Sequence, residues 1–397
     1  MPLELFAVTQ PGLEDICAAE VAQLGLGPGV TLPGGVAFQG EALHLAVANL
    51  RLSVATRVLV RVAEFRAPGF PELHGRAARL PWERFIPADA PPLRPAAPPL
   101  RPAAPPRLCF HVSAHKSRLY HTAGIAERVA RGVGERLGVT PELVAPGDDD
   151  AETSDDLRAP TRVYVRLDHD RCTISVDSSG DPLHRRGYRL ALARAPLRPT
   201  LAAAMLHACG WQPGVPLLDP MCGSGTIVLE AARRACGRAP GGDRSFAFLA
   251  WPGLAGAAAL AQARGDLAPE TAAPGAPILG SDRDPGAITA ARTNAGRAGV
   301  ADAVELAVRP LSAISPLPGP GFVVSNPPYG VRVGKHAHLR DLYAQLGHVL
   351  RDRCPGARVA LLCGDELWRR CDLPLGVTHH LKNGGLAVQL VQGRVPG

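Results

Sequence analysis

From about Gly214 onward the chain alternates short apolar strands with helical segments, and no other feature limits its fold as strongly. Strands separated by helices must run parallel, and the helices then cover the faces of the sheet. Strands are expected at 215–219, 278–282, 322–325 and 358–363, and helices at 226–235, 285–298 and 338–350. Asp284 stands where an N-cap belongs and Pro285 at the first helical position. Near the end, apolar runs at 377–381 and 386–391 flank Lys382-Asn383-Gly384-Gly385, a strong hairpin signal. The expected fold of this half is α/β, a parallel sheet closed by a C-terminal β-hairpin.

The first half follows another pattern. An amphipathic helix carrying Leu13, Ile16, Cys17 and Val21 lies between Pro11-Gly12 and Gly25. Strands are expected at 36–38 and 57–65, the latter alternating Val58, Val60 and Val62 with Arg57, Arg61 and Glu64 as a half-buried strand should. Further strands at 108–112, 162–167 and 172–177 and a helix over 121–137 make this half α+β. The heptapeptide PPLRPAA occurs at 91–97 and again at 98–104, and Pro105-Pro106-Arg107 begins a third copy. Proline at that density predicts an extended, solvent-exposed loop. An acidic loop at 147–156 and a mostly helical connection over 187–210 complete this half.

Charge and cysteine usage narrow the function classes. No stretch of about 20 apolar residues is present, so a membrane span is not expected. The first dozen residues lack the basic start and apolar block of a secretory signal. The 9 cysteines form no CxxC pair, which predicts reduced, packed thiols in the cytoplasm and neither disulfides nor a zinc site. The net charge is +7 and the sequence pI about 9.1. Six Lys/Arg against two acids between Arg107 and Arg136, and five arginines without an acid between His184 and Arg198, concentrate that charge. Such stretches serve either as solvated faces or as a footprint for nucleic-acid phosphates.

Three strand tips carry the chemistry. Leu217-Leu218-Asp219-Pro220-Met221-Cys222-Gly223-Ser224-Gly225-Thr226 follows the first strand, and its glycines let a ligand approach the backbone. It does not match the GxGxxG of dinucleotide folds. Asp282 ends the second strand, where a carboxylate can accept from both hydroxyls of a ribose. With Asp284 free to cap the helix, Asp282 is left for a ligand. Asn326-Pro327-Pro328-Tyr329 follows the strand at 322–325. The two prolines remove N–H donors, so the Asn326 side-chain oxygen and the Pro327 carbonyl stand as acceptors. Two acceptors suit an exocyclic amine, which has two hydrogens to donate, and Tyr329 offers a face for a base. Methyl transfer onto such an amine depends on proximity and alignment and needs no metal.

These residues resemble the amino-methyltransferases with an (Asn/Asp)-Pro-Pro-Tyr motif, a superfamily that includes adenine-N6 DNA enzymes, release-factor glutamine methylases and RNA guanine-N2 enzymes. The rest of the chain is similar to the THUMP-containing guanine-N2 methyltransferases of large-subunit rRNA. That likeness rests on Ala48-Asn49-Leu50-Arg51-Leu52, Arg57-Val58, Glu64-Phe65 and Pro81-Trp82-Glu83-Arg84-Phe85-Ile86-Pro87. It rests equally on Lys116-Ser117-Arg118-Leu119-Tyr120-His121, Asp177-Ser178-Ser179-Gly180, Leu183-His184-Arg185-Arg186-Gly187-Tyr188-Arg189 and Arg244-Ser245-Phe246-Ala247-Phe248. The resemblance implies a class I methyltransferase domain at 211–397, preceded by a ferredoxin-like part at 1–42, a THUMP RNA-binding domain at 43–168 with the Pro-rich insert at 88–107, and a connection at 169–210. It implies S-adenosylmethionine as cofactor, bound by Asp219, Cys222, Gly223, Gly225, Thr226, Asp282 and Asn326. Asn326, Pro327 and Tyr329 would form the catalytic motif, and Lys116, Arg118, Arg185, Arg186 and Arg189 would face RNA phosphates. The implied substrate is 23S rRNA. A tRNA acceptor-stem guanine is the near alternative; an adenine-N6 DNA methylase and a non-catalytic RNA-binding factor are more distant ones. Two departures stand out: the family's acid beside the cofactor adenine is replaced by Arg309-Pro310-Leu311, and the Pro-rich insert is foreign to it.

Overall fold

The structure is a computed structural model that describes residues 2–87, 105–147, 159–188, 197–242, 244–271, 273–329, 336–364 and 366–397. The greater part of the Pro-rich insert, most of the expected acidic loop, and Arg189 lie outside the described residues.

The first half runs β1 (Leu3–Val8), α1 (Glu14–Gln23), β2 (Val30–Leu32), β3 (Gly35–Gly40), α2 (Ala42–Arg51), β4 (Arg57–Arg66), α3 (Phe70–Ala77), β5 (Arg107–His115), α4 (Thr122–Leu137), β6 (Glu142–Val144), β7 (Thr161–Asp168) and β8 (Arg171–Asp177). Its strands form one sheet in the order β2-β3-β1-β4-β8-β7-β5-β6. Because β4 pairs with β1 on one side and β8 on the other, the sheet is continuous across residue 42. α4 begins where the His121 ring accepts from Gly124 N (3.0 Å) and ends at Gly138 in the left-handed region. β4 departs from the expected alternation. Arg57 is buried with Val58, Leu59 and Val60, and its guanidinium meets the Asp177 carboxylate at 2.5 Å and the Gly180 carbonyl at 2.6 Å. A central strand covered on both faces can hold an arginine only when such partners are supplied.

The second half runs α5 (Pro199–Ala208), β9 (Leu217–Asp219), α6 (Thr226–Ala235), α7 (Gly256–Gly265), β10 (Ile278–Asp282), α8 (Pro285–Arg297), β11 (Glu305–Val308), β12 (Phe322–Ser325), α9 (His336–Arg353), β13 (Arg358–Cys363), β14 (Leu375–Asn383) and β15 (Leu386–Arg394). The sheet order is β11-β10-β9-β12-β13-β15-β14. β9 to β13 are mutually parallel, and β15 and β14 join as an antiparallel pair. The hairpin turn places Gly384 and Gly385 at φ of 56° and 83°, which L side chains rarely adopt. The chain leaves β9 toward β10 and β11, then crosses back to β12 on the other side. The order therefore reverses between β9 and β12, and ligands of such sheets lie in the crevice outside the carboxyl ends at that point.

The two halves share a seam. Tyr188 donates its hydroxyl to Glu230 Oε1 on α6 (2.7 Å), and Arg244 donates to the carbonyls of Asp181, Pro182 and Arg185. No helix among the described residues is long and apolar enough to cross a membrane.

Candidate active site at the carboxyl ends of β9, β10 and β12

β9 and β12 are neighbours, with Leu217 opposite Phe322 and Leu218 opposite Val323, so their tips lie side by side at the same edge of the sheet. Asp219 sits at the tip of β9, 1% exposed. Its Oδ1 accepts from the Ser325 hydroxyl at 2.6 Å and from Met221 N at 3.2 Å. Burial is the main cause that pushes its carboxyl up to about 7, against the Ser325 hydrogen bond. Asp219 thus ties the glycine turn to the residue that precedes Asn326.

The turn itself is fastened to β10. Cys222 N donates to the Ser281 carbonyl (2.9 Å), and Gly223 N donates to Asp282 Oδ2 (3.0 Å). Gly223 has φ 54° and Gly225 φ 88°. A Cβ on Gly223 would meet nothing within 4 Å, so the turn borders open space. Asp284 caps α8 through Gly286 N (2.8 Å), as expected. Asp282 is not idle, however: besides Gly223 it accepts from Asp284 N at 3.0 Å. Two backbone donors leave about two further acceptor positions on the carboxylate. Thr226, at the start of α6, is buried, as is Cys222.

Asn326 is half-buried, and its Oδ1 is enclosed without a hydrogen-bond partner among the described residues. An enclosed amide oxygen lacking a donor costs about 1–3 kcal/mol, which a ligand N–H would relieve. Pro327 is buried beside it. Tyr329 accepts at its hydroxyl from Asn383 Nδ2 (2.6 Å), a residue of the C-terminal hairpin. Its ring base lies against Gly364, where a Cβ would fall 3.1 Å from Tyr329 Cβ. Burial pushes the phenol up, so Tyr329 stays neutral near pH 7. Ser325, Asn383 and Gly364 are the members of this arrangement that motif reading missed. Asn383 was legible only as a turn residue, and Ser325 only as the last residue of a strand.

The remaining expected positions divide. Arg309, in place of the family's acid, is exposed and bonds the Ser315 hydroxyl. Lys116 and Arg118 are exposed at the end of β5, and Arg185 is half-buried at the seam. Arg186 corrects the expectation of a phosphate contact. It is 6% exposed, and its guanidinium donates to the carbonyls of Leu183 (2.8 Å) and Ser53 (2.6 Å) and pairs with Glu230 at 3.6 Å. A side chain so enclosed holds the seam and cannot reach a nucleic acid.

Comparison with known proteins agrees with this geometry. Residues 186–370 match the model of an RMKL-like methyltransferase domain, and residues 4–59 that of the RlmL ferredoxin-like domain. A Synechocystis protein, slr0064, whose name calls it an RNA methyltransferase, is 31% identical over 98% of this chain and 95% of its own. The ribosomal RNA large subunit methyltransferase K/L of Syntrophotalea carbinolica is 33% identical over 98% of this chain, which spans about half (53%) of that relative. Among solved structures, a Listeria monocytogenes protein named as an N6-adenine-specific DNA methylase has a TM-score of 0.80 at 31% identity, covering 100% of this chain and 97% of its own. SMU.472, a methyltransferase structure complexed with SAH, has a TM-score of 0.80 at 26% identity, covering 100% and 98%. With its crevice, its Asn-Pro-Pro-Tyr tip and these likenesses together, the chain belongs to the RMKL-like methyltransferases and carries the RlmL-type ferredoxin-like domain at its front.

Proposed function

We propose that this protein methylates the exocyclic N2 amine of a guanine in RNA, with 23S rRNA as the substrate and S-adenosylmethionine as the methyl donor. The observation that carries the reading is the enclosed Oδ1 of Asn326 at the tip of β12, which has no hydrogen-bond donor among the described residues and lies beside the glycine turn of β9. The fit of the cofactor to this chain rests on the open space at Gly223 and the acceptor capacity left on Asp282. When bound, S-adenosylmethionine supplies an electrophilic methyl group on a sulfonium.

The chain's own residues do the rest. Asn326 Oδ1 and the Pro327 carbonyl accept the two amine hydrogens, which orients the nitrogen lone pair and favours the developing tetrahedral centre. Tyr329, steadied by Asn383, lies under the base. The Asp219–Ser325 bond fixes the distance between the two tips. With the cofactor bound, the oriented nitrogen would take the methyl group from the sulfonium, and the amine would lose one proton to solvent. RNA is favoured over DNA as substrate because both curated relatives are named for RNA or ribosomal RNA, and because Lys116 and Arg118 stand exposed on the sheet of the first half. In this reading the THUMP RNA-binding unit lies within residues 43–168, beyond the ferredoxin-like match that ends at residue 59. The buried free thiols suit a reducing cytoplasm.

Incubating the protein with labelled S-adenosylmethionine and separated rRNA, tRNA and duplex DNA, then digesting to nucleosides for mass spectrometry, tests this. N2-methylguanosine in large-subunit rRNA is the expected product. N6-methyladenine in DNA as the sole product would overturn the reading, and N2-methylguanosine confined to tRNA would move the substrate.

A further inference from the structure

Away from the crevice, the end of β5 and the turn joining β7 to β8 gather three ligand-type side chains. In the parallel pairing of β5 and β7, His115 stands opposite Asp168. His169 N donates to the His115 carbonyl (3.1 Å), pinning the turn to the strand end. His115 Nδ1 lies 3.2 Å from Asp168 Oδ1, and His169 Nδ1 lies 2.8 Å from the same oxygen. One donor atom from each residue falls within 4.8 Å of the other two. Around an ion with bonds of about 2.1 Å, adjacent donors stand roughly 3.0–3.4 Å apart and opposite ones about 4.2 Å. The His115–Asp168 separation falls inside the adjacent-donor range and the His169–Asp168 separation just short of it, so small side-chain rotations would bring all three donors to one ion.

We propose that His115, Asp168 and His169 bind a transition-metal dication of the zinc class, through two imidazole nitrogens and one carboxylate oxygen, with water in the remaining positions. Imidazole donors select zinc, nickel, copper or cobalt over magnesium and calcium, which demand oxygen. On binding, each neutral ring carries its proton on Nε2 and turns its Nδ1 lone pair to the ion. The three side chains are exposed enough for a hydrated ion to reach them. Nearby cations oppose the ion: the Arg166 guanidinium lies 3.8 Å from Asp168 Oδ2, while Arg118 is engaged by Asp170 at 3.6 Å. That repulsion makes the site one of moderate affinity. Its effect is to clasp the β5 end to the β7–β8 turn and to add positive charge beside Lys116. The inference does not rest on the methyl-transfer reading.

The test uses the full-length, tag-free chain stripped with a chelator. All nine cysteines are buried, so native protein offers no competing surface thiol. Cobalt titration followed by absorbance, and zinc titration by calorimetry, should show one equivalent bound in the micromolar range and not displaced by millimolar magnesium. His115→Ala, Asp168→Asn and His169→Ala should each weaken binding by at least about tenfold, with cofactor affinity unchanged as evidence of folding. Unaltered binding in these variants, or no zinc binding in the submillimolar range, would overturn the proposal, the latter leaving a hydrogen-bonded surface cluster.

Discussion

An enclosed oxygen without a donor is rarely left in a protein interior unless something else is meant to satisfy it. Asn326 Oδ1 is such an atom, and Asn326→Ala should lower turnover by about 100-fold or more while cofactor affinity stays within about threefold. Single-turnover kinetics alongside calorimetry reads both quantities, and unchanged turnover would refute the role. Asp219 supplies a second residue-level expectation. Its carboxyl is pushed from the ordinary range near 3.8 up to about 7 by burial. Between those values the folded chain keeps a proton that the unfolded chain releases. The contribution of Asp219 to stability is therefore full below the lower value and lost as pH rises through about 7, at a slope on the order of 1.4 kcal/mol per pH unit within the window. Comparing melting temperatures from pH 5 to pH 8 should show that Asp219→Asn removes this part of the slope.

Each loop at the crevice is held by side chains of another element. Asp282 at the tip of β10 clamps Gly223 N, and also receives Asp284 N at the start of α8. Asp282→Ala should weaken cofactor binding about tenfold, roughly 1.4 kcal/mol, since it removes ligand acceptors and frees the turn together. A calorimetric titration showing unchanged affinity would remove Asp282 from the binding site. The hairpin of β14 and β15 acts on the crevice through Asn383 and the Tyr329 hydroxyl. Gly364 at the base of the Tyr329 ring and Asn383 at its hydroxyl thus hold the side chain at both ends.

In the whole molecule, neighbouring arginines have separate duties. Arg186 joins Ser53 of the first half to Glu230 of α6, with its side chain almost wholly enclosed. Arg186→Ala removes the cation from a buried carboxylate, leaving it the Tyr188 hydroxyl, and should destabilise the protein by about 3 kcal/mol, seen as a lower melting temperature. Arg185, half-buried at the same seam, should behave differently. Arg185→Ala is expected to reduce the slope of log affinity for RNA against log salt by about one. Lys116→Ala with Arg118→Ala should reduce that slope by about two; equal slopes for wild type and variants in filter-binding assays would remove these cations from the RNA interface.

Local chemistry was enough to locate α6, β10, β12 and β13, because helical periodicity, apolar runs and proline or glycine punctuation are properties of adjacent residues. It also placed the three loops that the parallel sheet brings to one edge. It missed α2, α3 and α7 and the short outer strands β2, β6 and β11, whose apolar residues are too few or too evenly spread to show a face. Nor could it tell that Arg57 and Arg186 are buried, that Ser325 meets Asp219 across 106 residues, or that Asn383 reaches Tyr329 across 54. A residue's preferences travel with its neighbours along the chain, but its burial and its partners depend on what the folded backbone carries to it from far away.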